Sequence, residues 1–328
     1  MTTKLYPLKF DPILKYRVWG GDKLQTYLKK DFKGQKNIGE SWELSGVDGD
    51  ISVVKNGFLK GNSLTELMEV YMGDLMGERV FEKFGLSFPL LIKFIDAREA
   101  LSIQVHPDDQ LAKERHQSFG KTEMWYVMQA EPEARLINGF AREVKPEEYV
   151  RAVENNTVES ILASHPVKAG DVFFIPAGRV HAIGAGIVIA EIQQTSDITY
   201  RIYDFGRVDK DGKPRELHTQ LAKDAIDYKL YDNFITKYKA EPNRSVEAVN
   251  CPYFSTSVLE ATNTVIRDYY PLDSFVILIA TEGQADIKYE GGTEKITKGE
   301  TVLIPADLRQ IEIVPDKTVK LLEVYVPH

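Results

Sequence analysis

Two stretches decide the predicted fold: AGDVFFIPAGRVHAIGAGIVIAEIQQTSDITYR at residues 169–201 and the earlier LSIQVHPDD at residues 101–109. Both combine short apolar runs of β-forming residues with glycine and proline breaks, a pattern that predicts strands separated by tight turns. Gln104 and His106 stand two residues apart, so on a strand their side chains project from the same face. In the later stretch a Pro-Ala-Gly break precedes His181. We therefore expect His181 where a strand resumes beside a chain reversal.

A carboxylate lies between these two stretches. Glu123 belongs to KTEMWYV, where an aromatic β-forming run follows it. Two imidazoles, one carboxylate and one amide form a ligand set that suits a borderline divalent metal, with zinc as the first candidate and manganese, cobalt and iron also suited. Taken singly, each residue is equally an ordinary polar side chain at a strand end. The predicted metal ligands are Gln104, His106, Glu123 and His181.

The motifs resemble those of a known family. The spacing from Gly170 to His181 resembles the second motif of the cupin superfamily, although the first cupin motif usually has histidine where this chain has Gln104. QVHPDD, KTEMWYV, PAGRVHAIG and YRIYDFGR, in that order, resemble the short bacterial form of type I mannose-6-phosphate isomerase, in which glutamine is expected. The resemblance runs from Trp19 to Arg207. It implies one zinc ion per chain.

The resemblance also implies a reaction, the interconversion of mannose 6-phosphate and fructose 6-phosphate through an enediol. Arg201 and Glu191 match family positions that look catalytic. Because a guanidinium has a pKa above about 12, we assign Arg201 to charge stabilisation and not to proton transfer. Either Glu191 or Lys121 is then the proton carrier, Lys121 lying two residues before Glu123 and on the same strand face.

A phosphate group requires cations and hydrogen-bond donors. Three residues match family positions near the substrate and are predicted to bind it: Lys93, Ser102 and Arg207. Each is alternatively a solvated charge or a turn residue. Two rival functions stay open on the same scaffold, a different metal-dependent cupin enzyme such as an iron oxygenase, and a non-catalytic protein that binds sugar phosphates.

Composition bounds the partners. With 328 residues the chain is long enough for two domains, and 43% hydrophobic and 27% charged residues are ordinary for a globular protein. A net charge of -8 argues against nucleic acid or an anionic membrane as the main partner. A single cysteine, Cys251, and a start without an apolar signal segment predict a cytoplasmic location. The oligomeric state is left open.

The predicted fold is all-β, with two cupin-type jelly-roll barrels in tandem and a few short helices. The catalytic domain is predicted over residues 1–235, with a helical insertion around residues 63–85. There Ser63 and Glu66 form a capping-box pattern before apolar residues at helical spacing.

A metal-free second domain is predicted over residues 240–328 on the basis of an internal repeat. GDVFFIPA, which begins at Gly170, recurs as GETVLIPA beginning at Gly299, an offset of 129 residues. The same offset places Gln310 at the position of His181. The second copy therefore keeps the turn and lacks the imidazole.

Overall fold

The computed structural model describes residues 4–209 and 211–327. Within them the strands, β1 to β20 in chain order, are Ile13–Gly21, Ile38–Leu44, Gly46–Val47, Asp50–Ile51, Leu90–Ala97, Ile103–Val105, Glu123–Ala130, Arg135–Phe140, Leu162–Pro166, Val172–Ile175, His181–Ala182, Ile187–Gln194, Tyr200–Tyr203, Ser245–Asn250, Ser255–Ala261, Val265–Asp268, Val276–Tyr289, Gly292–Thr297, Thr301–Ile304 and Gln310–Tyr325. The α-helices, α1 to α6, are Lys23–Thr26, Leu64–Met76, Glu78–Phe84, Asp109–His116, Pro146–Glu154 and Thr219–Ala225. Short 3₁₀ turns lie at Val158–Ile161 and Tyr270–Leu272.

The helical segment predicted around residues 63–85 is present as α2 and α3. The Ser63 hydroxyl accepts from the Glu66 backbone N–H, and the Glu66 carboxylate accepts from the Ser63 N–H at 2.7 Å. This reciprocal cap satisfies two backbone donors that a helix start otherwise leaves unpaired. The apolar stripe of α2 is buried at Leu64, Leu67 and Met68, so burial of this face and the cap together stabilise the helix.

Three larger sheets hold most of the strands. The six-stranded sheet has the order β1-β2-β5-β12-β7-β10, and the five-stranded sheet has the order β13-β6-β11-β8-β9. The seven-stranded sheet has the path β14-β15-β20-β17-β18, with β16 on β20 and β19 on β17. A strand-rich fold with few helices is confirmed. Among the described residues no sheet closes into a barrel, so the two tandem barrels that we predicted are not shown.

The chain forms two compact units that do not follow its order. One comprises residues 4–13, 42–92 and 237–327, and the other comprises residues 14–41 and 93–236 apart from residue 210. One change between the units falls after Thr236, between residue 235, where the first predicted domain ends, and residue 240, where the second begins. The helical insertion and residues 4–13 group with the C-terminal strands. The predicted division at residues 235–240 instead put both segments in the first domain.

The core of the unit with residues 93–236 determines which side chains face inward. On β6, Ile103 and Val105 belong to an apolar cluster with Tyr149 of α5 and Ala222 of α6. Because side chains alternate along a strand, Gln104 projects from the opposite face of β6. The helices thus cover one face of the five-stranded sheet, and Gln104 lies on the other, where Leu136 of β8 belongs to a second apolar cluster.

The predicted repeat is present in the backbone. GDVFFIPA contains β10 and GETVLIPA contains β19, and the first glycine of each copy has a positive φ, 90° at Gly170 and 84° at Gly299. Glycine adopts this conformation without a Cβ clash, which is why both turns begin with it. No helix in the described part of the chain is long and apolar enough to span a membrane.

Candidate metal centre

Four polar residues lie in a row across the five-stranded sheet. Arg201 of β13 pairs with Gln104 of β6, Gln104 pairs with His181 of β11, and His181 pairs with Asn138 of β8. Directly opposed residues on neighbouring strands point to the same side, so the row faces away from α5 and α6. The Gln104 Nε2 atom lies 3.3 Å from His181 Nε2.

The six-stranded sheet supplies the carboxylate. Glu123 begins β7, and its Oε1 lies 3.3 Å from His181 Nε2, while its Oε2 lies 3.5 Å from His106 Nε2. One possible ligand atom from each of these residues lies within 4.8 Å of the other two. All three side chains are at least 99% buried. The structure therefore brings together three of the predicted ligands, with Gln104 beside them.

Backbone carbonyls orient both imidazoles. His106 Nδ1 lies 2.9 Å from the Ile198 carbonyl oxygen, and His181 Nδ1 lies 2.8 Å from the Arg179 carbonyl oxygen. A carbonyl only accepts, so each Nδ1 carries the proton and each neutral ring presents a lone pair at Nε2. Burial lowers the pKa of His181 to about 3 and holds the pKa of His106 well below its ordinary value. Both rings are thus neutral ligands at neutral pH.

The donor set fits a divalent metal ion. Both carboxylate oxygens of Glu123 are buried without a hydrogen-bond partner. Burial, followed by the charge of Glu191, raises the pKa of Glu123 to about 7. A buried carboxylate is costly unless cations compensate it, and here Lys121 Nζ lies 3.3 Å from one of the two oxygens, Oε2. Two imidazole Nε2 atoms and an orphaned carboxylate that converge in a buried site are the ligands that zinc accepts.

Lys121 lies against the same group. Its Nζ is 3.0 Å from His106 Nε2 and 3.3 Å from Glu123 Oε2. The Lys121 side chain is 6% exposed, so its ammonium is held in the interior beside the ligand atoms. Lys121 precedes β7, which begins at Glu123, so it reaches these atoms from outside the strand on which its position was predicted.

Glu191 and Lys93 form a buried pair on the six-stranded sheet. Lys93 Nζ donates to Glu191 Oε1 at 3.0 Å and to Gln193 Oε1 at 2.6 Å. The Trp125 indole N–H donates to Glu191 Oε2 at 3.0 Å. Although burial acts to raise it, the charges of Lys93 and Lys121 lower the pKa of Glu191 overall. The contacts of Lys93 favour a role beside Glu191, and its predicted contact with phosphate stays a prediction.

Arginines gather near the end of β13. The Arg201 guanidinium donates to the Glu216 carbonyl oxygen at 2.9 Å. Asp204, which is 5% exposed, accepts from Arg207 at 2.6 Å and receives two hydrogen bonds from Arg215. Burial and then the charge of Arg215 lower the pKa of Arg201. One carboxylate thus holds two guanidinium groups close to a third, which leaves a net positive region in an acidic protein.

Ser102 lies between this region and the ligand row. Its hydroxyl donates to Gln104 Oε1 at 3.4 Å, and its side chain is buried. Arg207 also donates to the Ala100 carbonyl oxygen, two residues before Ser102. Arg207 and Ser102, predicted together as phosphate contacts, are therefore tied to the same short segment.

The chain is similar to known phosphomannose isomerases. A family model described as phosphomannose isomerase type I, catalytic domain, matches residues 8–156. Over 320 residues the chain is 34% identical to the Bacillus subtilis protein named mannose-6-phosphate isomerase ManA. The matched region covers 95% of this chain and 96% of that protein. The mannose-6-phosphate isomerase of Streptococcus mutans is 33% identical over 308 residues, covering 92% and 93%. The chain belongs to the type I phosphomannose isomerase family.

Solved structures agree with this membership. The crystal structure of the mannose 6-phosphate isomerase from Bacillus subtilis superposes with a TM-score of 0.88 and 31% identity, covering 98% of this chain and 99% of that chain. A zinc-bound mannose 6-phosphate isomerase superposes with a TM-score of 0.80 at 17% identity, covering 98% and 100%. At that identity the likeness shows the shared fold. The membership first suggested by the four motifs is confirmed.

Sequence reasoning missed several polar residues of this phosphomannose isomerase site. Asn138, Gln193 and Asp204 are each at least 95% buried, and each holds a residue of the site or its flank. Asn138 lies within RLINGF, where an apolar run hides one polar residue. Gln193 follows Glu191 by two residues, so strand alternation alone puts both on one face. That spacing was the one signal able to reveal Gln193.

Proposed function

We propose that the protein is a metal-dependent aldose–ketose isomerase that interconverts mannose 6-phosphate and fructose 6-phosphate. The observation that carries the proposal is the buried group of His106, Glu123 and His181 in a chain related over nearly its whole length to proteins named mannose-6-phosphate isomerase. A non-catalytic protein that binds sugar phosphates would not require this converging group of buried ligands.

A divalent ion would be held by Gln104, His106, Glu123 and His181, and zinc suits this set, as in the zinc-bound relative. When bound, the ion supplies Lewis-acid stabilisation of the negative charge that isomerisation develops on the sugar oxygens. Lys121, which contacts His106 and Glu123, would lie beside the bound ion.

Lys121 and Glu191 remain the two candidates for moving the proton between C2 and C1. Both oxygens of Glu191 accept from buried donors, and cations lower its pKa, which makes it a weak base. Lys121 lies directly beside the ligand atoms. These contacts favour Lys121 as the proton carrier and leave Glu191 paired with Lys93.

Arg201 stabilises the developing negative charge from the end of the ligand row. Its cross-strand pairing with Gln104 brings it beside the proposed ligands, and its guanidinium stays charged. Ser102 and Arg207 bind the phosphate from the adjoining segment, with Asp204 holding Arg207 in place. We place this small-molecule reaction in the cytoplasm, which the single Cys251 supports.

A coupled assay tests the proposal. Purified protein should convert mannose 6-phosphate to fructose 6-phosphate, should lose this activity on dialysis against a chelator, and should regain it with one equivalent of zinc. An inactive protein that holds a full equivalent of metal would refute the proposal.

A further inference from the structure

Two lysines, Lys93 and Lys121, are buried in the proposed active site, and the charges of both act on two buried carboxylates, Glu123 and Glu191. Glu191 accepts from Lys93 at 3.0 Å, and the charge of Lys121 also acts on it. Lys121 instead contacts His106 and Glu123. A buried ion pair forms readily wherever geometry allows it, because an isolated buried charge is costly. Something must therefore decide which lysine Glu191 pairs with.

Trp125 is placed to decide it. Trp125 and Glu191 are directly opposed on β7 and β12, and the indole N–H donates to Glu191 Oε2 at 3.0 Å. Trp125 is 1% exposed, and its ring meets the His181 ring edge-on at a centroid distance of 5.4 Å. A buried, packed indole has little freedom to rotate, so its N–H is a fixed anchor for one carboxylate oxygen.

Lys93 is anchored from its other side. Gln193 accepts from Lys93 Nζ at 2.6 Å, and its amide nitrogen donates to the backbone oxygens of Gln194 and Ser196. Both members of the pair are thus fixed, Glu191 by the indole and Lys93 by an amide that the backbone orients.

We infer that Trp125 is a positioning residue that holds Glu191 on Lys93 and thereby leaves Lys121 to the reacting atoms. This inference rests on the proposed function. Without the indole donor, Glu191 can swing toward Lys121 and pair with it, which withdraws that ammonium from the metal-ligand side of the site. The role is additional to those of the predicted catalytic side chains, and nothing in the KTEMWYV motif itself indicates it.

Trp125→Phe tests the inference, since it keeps the packed ring and removes the donor. We expect kcat to fall about 10–100-fold, with KM for mannose 6-phosphate within about twofold and one metal equivalent retained. In a Glu191→Gln background the further loss on Trp125→Phe should shrink to about twofold or less, because a neutral amide cannot trap Lys121. The control is Trp19→Phe, another buried tryptophan of the same apolar cluster, which should keep a normal kcat.

A spectroscopic measurement tests the hydrogen bond without turnover. The chain has three tryptophans, so its ¹H–¹⁵N spectrum contains three indole signals. The signal that disappears in Trp125→Phe should shift in Glu191→Gln, while the other two stay in place. An unmoved signal, an unchanged kcat, or equal losses in both backgrounds would overturn the inference. Absence of turnover in the unaltered protein would overturn the proposed function and this role with it, whereas turnover that Trp125→Phe leaves unchanged would overturn the positioning role alone.

Discussion

The two copies of the repeat use one backbone device for different purposes. After β10 the Gly178 N–H donates to the His106 carbonyl oxygen at 2.9 Å, which ties the turn to a ligand-bearing segment. The corresponding amide after β19 belongs to Asp307, and it donates at 2.9 Å to the Asp74 carbonyl oxygen of α2. In one unit the turn holds a segment that carries a proposed metal ligand, and in the other unit the turn holds helix α2.

The residue after each turn shows the consequence. His181 is 1% exposed and converges with two other possible ligands, whereas Gln310 is exposed at the start of β20. The second copy thus differs in more than the identity of one side chain, because the residue at the position of His181 is exposed and not buried. A repeated turn alone does not make a metal site.

The largest expected effect comes from removing a ligand in the first copy. His181→Ala or Glu123→Ala should abolish metal retention and isomerase activity while the protein stays folded, because the apolar clusters pack independently of the ligands. Metal analysis, circular dichroism and the coupled assay measure the three quantities. Gln310→Ala is the matched control at the corresponding repeat position and should leave all three unchanged. A full metal equivalent in the Glu123 variant would contradict the ligand assignment.

Arg201→Ala should lower kcat by about 10²–10³-fold and change KM much less. The reason is that a cation acting on charge that develops in the transition state contributes little to ground-state binding. Steady-state kinetics separates the two parameters. A nearly normal kcat would show that Arg201 has only a structural role, the hydrogen bond that it donates to the Glu216 carbonyl oxygen.

Arg207→Ala should raise KM for mannose 6-phosphate about tenfold or more, since a charge-assisted hydrogen bond contributes about 1.5–3 kcal/mol. Arg244→Ala, which removes an exposed arginine paired with Glu241 in the C-terminal part, is the control with no expected effect. An unchanged KM in the Arg207 variant would remove that residue from the phosphate site.

Metal affinity should fall on acidification. Because the pKa of Glu123 is about 7, protons compete with the ion below that value, and each further pH unit should weaken apparent affinity about tenfold. Both histidines stay neutral near pH 7, because the pKa of His181 is about 3 and that of His106 is well below its ordinary value. They therefore do not change the metal affinity with pH in this range. Competition with a chromophoric chelator between about pH 5.5 and 8 measures this dependence. A flat profile would show that Glu123 takes up no proton in this pH range.

The smallest expected effect sharpens the comparison of the two copies. Gln310→His restores an imidazole to the second copy, and yet the metal content should remain one equivalent per chain. No histidine stands between His218 and the terminal residue, so the new imidazole gains no partner of its kind. A second tightly held equivalent, measured by metal analysis, would show that the turn itself specifies the site.

Local patterns made part of this structure predictable. The capping box at Ser63 and Glu66, the glycines that begin both repeat turns and the alternation around Gln104 are all read from residues near one another in the chain. Such features depend on local backbone geometry, which a short sequence determines. Four motifs in order were enough to identify the family and to name the three side chains that converge.

Tertiary structure alone decided the pairing of distant residues. That residues 42–92 group with the C-terminal strands, that Glu191 pairs with Lys93, and that Asp204 holds two arginines all depend on contacts between separate segments. No periodic pattern in the sequence indicates these contacts, because strand order and the choice among competing buried partners depend on the free energy of the whole packed core. The sequence by itself determined which chemistry is available, and the fold decided which groups meet.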